Sequence, residues 1–378
     1  MLLLNLNSLS NALARVTSSG RLIATIDGLR CVAVLAVLLY HLEDYVVHKH
    51  PQWSRVDYAS NWFHRLLHVG NCGVPLFFSI SGFILGLPWI EASLGKRQRV
   101  DVLQYFRRRV TRLEPPYLFN LIVMAVLFML VKDETWSSLW PHLLISSCYL
   151  HGFVYGTMST INGVAWSLEV EVQFYLVAPL LAALFYSPPR LVGRTLMLAV
   201  IAAIIVWKLR TGGFTQPHLH TFLPNFLDHF LVGMLLADIY AHQSDQGIRY
   251  TWFWDLVGIV GWVLVVLTQL IDGYYHFLAL ATLVAFLGTL RSKRMKSMLT
   301  TRAMVLIGGM CYTIYLYHFA IISAVGRVLL AVLPDWGYSL TLLVNVVVVV
   351  PVVLIISSML FVFIEKPFMA LSARGAVG

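Results

Sequence analysis

Long apolar blocks alternate with short polar segments along almost the whole chain. The blocks fall near 26–46, 71–90, 116–131, 163–186, 191–208, 222–241, 252–271, 274–290, 303–330 and 338–364. Most have the length that a helix needs to cross a membrane, about 20 residues for a hydrocarbon layer of about 30 Å; the third is shorter. Pro115 and Pro116 are expected to end the helix before that third block and to start the next one. A further stretch, SLWPHLLISSCYLHGF at 138–153, is too short and too polar to span comfortably and is expected to be re-entrant or interfacial. The pattern predicts an all-α polytopic membrane protein of about ten transmembrane helices. It forms one domain over residues 1–378, with a core from about 22 to 368. No internal repeat and no low-complexity segment is visible.

Composition strengthens this reading. Of the 378 residues, 59% are hydrophobic and only 12% charged, and the mean hydropathy is +0.77. A soluble chain carries about a quarter of its residues as charges. The net charge of +9 would point to nucleic acid in a soluble protein. Here the charges sit between apolar blocks, so topology explains them and no nucleic-acid partner is expected. With the N-terminus in the cytoplasm, about three quarters of the basic residues fall on inner segments, as the positive-inside rule requires. The largest groups are the loop from Lys96 to Arg112 and the run RSKRMKSMLTTR at 291–302. Both termini are therefore expected in the cytoplasm of a multi-pass protein, with the bacterial inner membrane as its location. The opening residues do not form a cleavable leader, so the first span is expected to act as the targeting signal. Cys31, Cys72, Cys148 and Cys311 are spaced neither as a metal cluster nor as a disulfide framework; they read as small apolar fillers, and no metal is expected.

Chemistry enters where polar residues interrupt apolar helices. In DGLRCVAVLAVLLYHLED (27–44), Arg30 and His41 are eleven positions apart. At about 100° per residue they share one face, about 16 Å apart along the axis. Asp44 follows on the same side, with Glu43 beside it. Arg30 alone reads as a snorkelling arginine at the boundary. His41 reads either as a histidine satisfied by a neighbouring helix or as a functional group, since ionisable groups at depth are costly. In GNCGVPLFFSISGFILG (70–86), Ser81 and Gly82 either permit close helix packing or line a narrow passage. In YFRRRVTRLEPPY (105–117), Arg109 and Arg112 share a helical face, and with Arg108 they can grip an anion such as phosphate; inner-loop charge is the alternative. In GVAWSLEVEVQFYLVAP (163–179), Glu169 and Glu171 point to different faces and can each be a helix N-terminal acid or a site group. MCYTIYLYHFAI (310–321) adds Tyr312 and His318. In FIEKPF (363–368), Glu365 is free to pair with Lys366 or with the basic loops.

Six of these fragments, in order, resemble the acyltransferase-3 family of membrane O-acyltransferases: IDGLRCVAVLAVLLYH, GVPLFFSISGFILG, RRRVTRLEPPY, WSLEVEVQFYLVAP, CYTIYLYH and IEKPF. They span residues 26 to 368. The resemblance implies a ten-helix unit that moves an acyl group, usually acetyl, from cytoplasmic acyl-CoA to a carbohydrate or other hydroxyl acceptor. The donor, acetyl-CoA, enters as substrate, and no bound cofactor is expected. The family's arginine and histidine, separated by ten residues, are matched by Arg30 and His41. Its arginine-rich stretch, matched by Arg108, Arg109 and Arg112, is held to bind the CoA phosphates. The acidic position of its WSLxxExxFY motif is matched by Glu171. Cys31, Pro75 and Val172 depart from the residues common at their positions. Some relatives carry an extra soluble hydrolase-like domain, which is not expected here.

Joined to the residue-level reading, this predicts a division of labour. Arg109 and Arg112, with Arg30, hold the donor phosphates, and the pantetheine arm reaches in beside the first two helices near Ser81. His41 removes the proton of the acceptor hydroxyl, and Asp44, or else Glu43, orients its ring. A covalent acyl-histidine is an open alternative. The expected partners are acyl-CoA, membrane lipid and a hydroxyl acceptor such as a glycan or glycolipid. Trp53, Trp62, Trp136 and Trp140 in the outer loops serve either as sugar platforms or as interfacial anchors. A proton-coupled small-molecule transporter or flippase would also use buried His and Glu, and would show broken helices in paired halves. A non-catalytic membrane partner is the third reading.

Overall fold

The computed structural model describes residues 11–16, 22–50, 61–243, 252–334 and 336–374. Trp53 lies outside them. Among the described residues every regular element is helical and no strand occurs. The first span is α1 (Ala24–Lys49). The short α2 (Trp62–His68) follows, and a 3₁₀ turn at Val69–Cys72 joins it to α3 (Gly73–Ser93). α4 (Val102–Val131) starts at Asp101, whose side chain accepts from the N–H groups of Leu103 and Gln104 at 2.8 and 3.1 Å, as an N-cap should. α5 (Trp136–Ser147) and α6 (His151–Tyr155) occupy the 138–153 region, and neither is long enough to span. Next come α7 (Trp166–Tyr186), α8 (Arg190–Thr211), α9 (Leu227–Gln243), α10 (Trp252–Leu270) and α11 (Leu278–Arg291). α12 (Lys293–Leu299) leaves α11 at a bend of 92°. α13 (Arg302–Gly309), α14 (Cys311–Val332) and α15 (Tyr338–Leu360) precede a π-helical turn at Phe361–Glu365 and then α16 (Lys366–Arg374).

Eight of the described helical segments are long and apolar enough to cross a membrane, and a ninth is reached when the bent α11–α12 pair counts as one span. The chain is a multi-pass membrane protein. All ten apolar blocks coincide with helices; the 222–241 block becomes α9, which has 17 residues. Two boundaries differ from expectation. Pro115 and Pro116 do not end a helix: both lie inside the 30-residue α4. Each proline removes one intrahelical bond, but packing on α4 holds the helix together at this point. The Tyr117 ring stacks on Tyr149 at 4.8 Å, and its hydroxyl donates to the Ser146 carbonyl at 3.0 Å. The 303–330 block is in turn divided at Met310 into α13 and α14. Gly308 and Gly309 are poor helix formers, and a Cβ at Gly308 would strike the backbone carbonyl of Asp27 on α1.

Two compact units can be distinguished: residues 1–74 with 298–378, and residues 75–297. In the first, α1 is central, and α2, α13, α14 and α15 all pack on it. Its apolar residues are accordingly buried around much of its circumference, among them Leu29, Val34, Leu38, Leu42 and Val46, as expected of a helix enclosed by others. In the second unit α10 packs on α11, and α9 packs on both α8 and α11. Its core holds a stack of rings, with Phe230 against Phe174 at 4.0 Å and against Phe78 at 4.7 Å. α3 and α9 approach closely: a Cβ on Gly82 would strike the Phe230 carbonyl, and one on Gly233 would strike the Ser79 carbonyl. Gly82 is thus a packing residue rather than the lining of a passage. Lys208 of α8 donates to both oxygens of the buried Asp228 carboxylate at 2.7 and 2.9 Å. Between α5 and α6, His142 Nδ1 meets His151 Nε2 at 3.0 Å. Burial holds the pKa of His151 below the ordinary histidine value, opposed by the hydrogen bond of the ring to the Thr157 carbonyl.

Candidate active site

In the first unit, α1 presents the half-buried His41 to a ring of aromatic neighbours. Tyr40 lies at 5.1 Å, His318 of α14 at 5.2 Å and Phe319 at 5.7 Å between ring centroids. Among the described residues the His41 imidazole makes no hydrogen bond, so both of its nitrogens are open to a substrate or a neighbour. The expected orienting acid is placed elsewhere. Asp44 pairs with His48 at 3.2 Å, one turn further along α1. The i,i+4 spacing brings His48 to it, while Asp44 makes no hydrogen bond to His41. Glu43 is buried and accepts from His64 Nδ1 at 2.7 Å and from the Tyr338 hydroxyl at 2.8 Å; it ties α1 to α2 and α15.

Arg30, expected to meet the donor, donates to the fully buried Asp27 at 2.8 Å, and Arg15 reaches the same carboxylate at 3.2 Å. Glu365 is buried, and its Oε2 accepts from the backbone N–H of Thr313 at 3.2 Å and from its hydroxyl at 2.5 Å. It therefore binds the first turn of α14, where the helix dipole favours an anion. Of the two alternatives for Glu365, Lys366 is turned elsewhere, donating to the carbonyls of Asn11 and Ala12 at 2.9 and 2.7 Å. Tyr312 is half-buried in that same first turn of α14.

The second unit holds the other predicted residues. Ser81 of α3 donates to Glu171 Oε1 of α7 at 2.5 Å, and Tyr175 follows one turn along α7. Tyr105 of α4 donates to the Tyr175 carbonyl at 3.2 Å. The Arg109 guanidinium lies 5.9 and 6.0 Å from the Tyr105 and Tyr175 ring centroids, a cation–π arrangement. It makes no hydrogen bond among the described residues, so its N–H donors remain open to an anion. Arg108 and Arg112 are half-buried on the same stretch of α4. Glu169 is separate: it is buried and accepts from the Gly152 N–H at 3.0 Å. Its role is to hold α6 against α7, and the two-residue spacing indeed sends it and Glu171 to different faces.

Several partners were missed in the sequence, although signals for them exist. Asp27 precedes Arg30 by three positions, Tyr175 follows Glu171 by four, and His68 follows His64 by four; each is a same-face helical spacing. Tyr105 precedes Arg109 by four and carries the same signal, whereas Tyr338 and Arg15 come from distant segments and have none.

Fold and sites together define a helical multi-pass membrane protein with an open imidazole in one unit and a serine–carboxylate–arginine cluster in the other. Residues 23–362 match the family model described as "Acyltransferase domain", and the chain belongs to this family. It is 26% identical over 335 residues to O-acetyltransferase OatA of Staphylococcus aureus (strain NCTC 8325 / PS 47), covering 80% of this chain and 51% of the relative. It is 23% identical over 377 residues to Peptidoglycan O-acetyltransferase OatA of Listeria monocytogenes, covering 92% of this chain and 56% of the relative. The chain thus spans about half the length of the curated relatives it matches. No solved structure matches it.

Proposed function

We propose that this protein is an O-acyltransferase that moves an acetyl group from acetyl-CoA to a hydroxyl of a glycan, with His41 as general base. In this reading His41 takes the proton as the hydroxyl oxygen attacks the thioester carbonyl. The tetrahedral intermediate collapses with cleavage of the C–S bond, and the departing thiolate takes the proton from the imidazolium. Hydroxyl plus thioester become ester plus free thiol, with no net proton change. One observation carries the proposal. His41 is an imidazole well inside a spanning helix with no hydrogen-bond partner among the described residues, within a family match that covers nearly the whole chain.

The second unit supports acetyl-CoA as the donor. Arg109 is held by ring faces and keeps its donors open, and Arg108 and Arg112 stand beside it; guanidinium forks suit phosphate oxygens. The glycan acceptor is supported by the relatives, one of which is named for peptidoglycan. The transporter reading gains little, because one bent helix pair is found among the described residues rather than broken helices in paired halves.

The test is thiol release from acetyl-CoA by detergent-purified protein, wild type beside His41→Ala, with peptidoglycan fragments and other glycans as acceptors. Acceptor-dependent release that falls by on the order of 10²-fold or more in His41→Ala is expected. Equal release in both proteins removes His41 from the mechanism. Folded protein that binds no CoA and releases no thiol argues against acyl transfer altogether.

A further inference from the structure

His318 is 1% exposed, on an α14 that packs against α1. Its Nδ1 lies 2.7 Å from the Tyr315 carbonyl, one turn back in the same helix. A carbonyl only accepts, so Nδ1 carries the proton. In the neutral ring this leaves Nε2 as a lone-pair acceptor. Nε2 is buried and has no hydrogen-bond partner, which is rare for a polar atom in a protein interior. The ring next to it is His41, at a centroid separation of 5.2 Å and a tilt of 42°. That separation has a counterpart elsewhere in the molecule. His142 and His151 also lie 5.2 Å apart, tilted by 33°, and they join through a nitrogen–nitrogen contact of 3.0 Å. Two imidazoles at this spacing are therefore within reach of a direct hydrogen bond.

We propose that His318 is the positioning residue of His41: its Nε2 accepts the N–H of the His41 ring, fixing the tautomer whose other nitrogen takes the hydroxyl proton. This rests on His41 as base. It gives His318 the part that the sequence assigned to Asp44, whose carboxylate is turned to His48. A base held by a third group is the general arrangement of hydrolytic triads. In this pair the third group is a neutral imidazole, locked in one tautomer by the α14 backbone. In this pairing the imidazolium formed on His41 finds an acceptor for its second N–H in the neighbouring ring, which a turn of the side chain brings from the 5.2 Å ring separation into a direct bond. The other titratable groups about the pair are Tyr40, Asp44 and Glu43 on α1, Tyr315 on α14, and His68 and His64 of α2, reached through Tyr40.

The experiment compares wild type, His41→Ala, His318→Leu and His318→Gln as full chains in detergent. Folding is checked by thermal unfolding, and thiol release from acetyl-CoA is followed across pH. His318→Leu is expected to lower kcat on the order of 10²-fold, with KM for acetyl-CoA changed by less than about threefold. The acid limb of its pH profile moves to lower pH, because the imidazolium has lost its acceptor. His318→Gln, whose side-chain carbonyl can accept the same N–H, regains part of kcat. Wild-type kcat and an undisplaced profile in folded His318→Leu overturn the pairing. If His41→Ala is inactive in the same series, the base itself stands; if His41→Ala is active, the base fails first. A second readout needs no turnover. In ¹⁵N-histidine-labelled protein in lipid, the His318 Nε2 resonance is expected to shift on His41→Ala, and an unmoved resonance overturns the pairing.

Discussion

Asp44 and His41 share a helix face, yet their roles diverge because of what else each meets. A carboxylate at i and a histidine at i+4 on an exposed turn find each other, and Asp44 with His48 does so at 3.2 Å. Asp44→Asn is therefore expected to leave the proposed acetyl transfer within about threefold of wild type, since an exposed pair of this kind contributes little. A loss as deep as that of His41→Ala, measured by thiol release, would return Asp44 to the site. Glu171 is the contrasting acid. It is joined by Ser81, and the ring of Tyr175, one turn along α7, faces the Arg109 guanidinium. It thus helps fix the surface on which Arg109 rests.

Helices in this protein meet through small residues and interruptions rather than through amphipathic stripes. In lipid the driving force between helices is close packing, and α3 and α9 satisfy it with Gly82 and Gly233 facing each other's backbone. Gly82→Ala leaves no room for its methyl group, so the helices must part. The expected cost is about 1–3 kcal/mol, read as a lower unfolding midpoint in detergent. An unchanged midpoint would mean that α3 and α9 are free to separate at no cost. The same logic explains α13 and α14. Gly308 lets α13 lie against Asp27 of α1, the helix breaks at Met310, and Glu365 then binds the new N-terminus at Thr313.

At the scale of the molecule, each unit buries an ionic cluster of its own. The first encloses Asp27 with Arg15 and Arg30, the second Asp228 with Lys208. Removing one partner of such a pair leaves a buried charge alone, while removing both is far milder. Asp228→Asn is expected to destabilise by about 3–5 kcal/mol, and adding Lys208→Met to recover most of that loss. Thermal unfolding of the three proteins decides it: a double variant no better than Asp228→Asn would show that the pair is not the source of the loss. The family match runs from residue 23 to 362 through both units, so neither unit alone carries the family's full pattern.

The sequence by itself determined that the chain is helical and membrane-spanning. Long apolar blocks have no other low-energy solution in lipid, where every backbone polar group must be satisfied within its own segment. It also determined which residues are chemically costly enough to need a reason: His41, His318 and Glu171 stand out as polar groups in apolar surroundings, and Arg109 as part of an unusually dense run of arginines. What it could not decide is how those residues are paired. Local spacing favoured Asp44 for His41, and Glu365 was open to Lys366 or the basic loops. Packing instead gave His41 the ring of His318, 277 positions away in the chain, and gave Glu365 the first turn of α14. Proline chemistry predicted a break in α4 that the stacking of Tyr117 on Tyr149 overrides. In each case a contact between distant segments outweighed a local preference, and contacts of that kind exist only once the helices have packed.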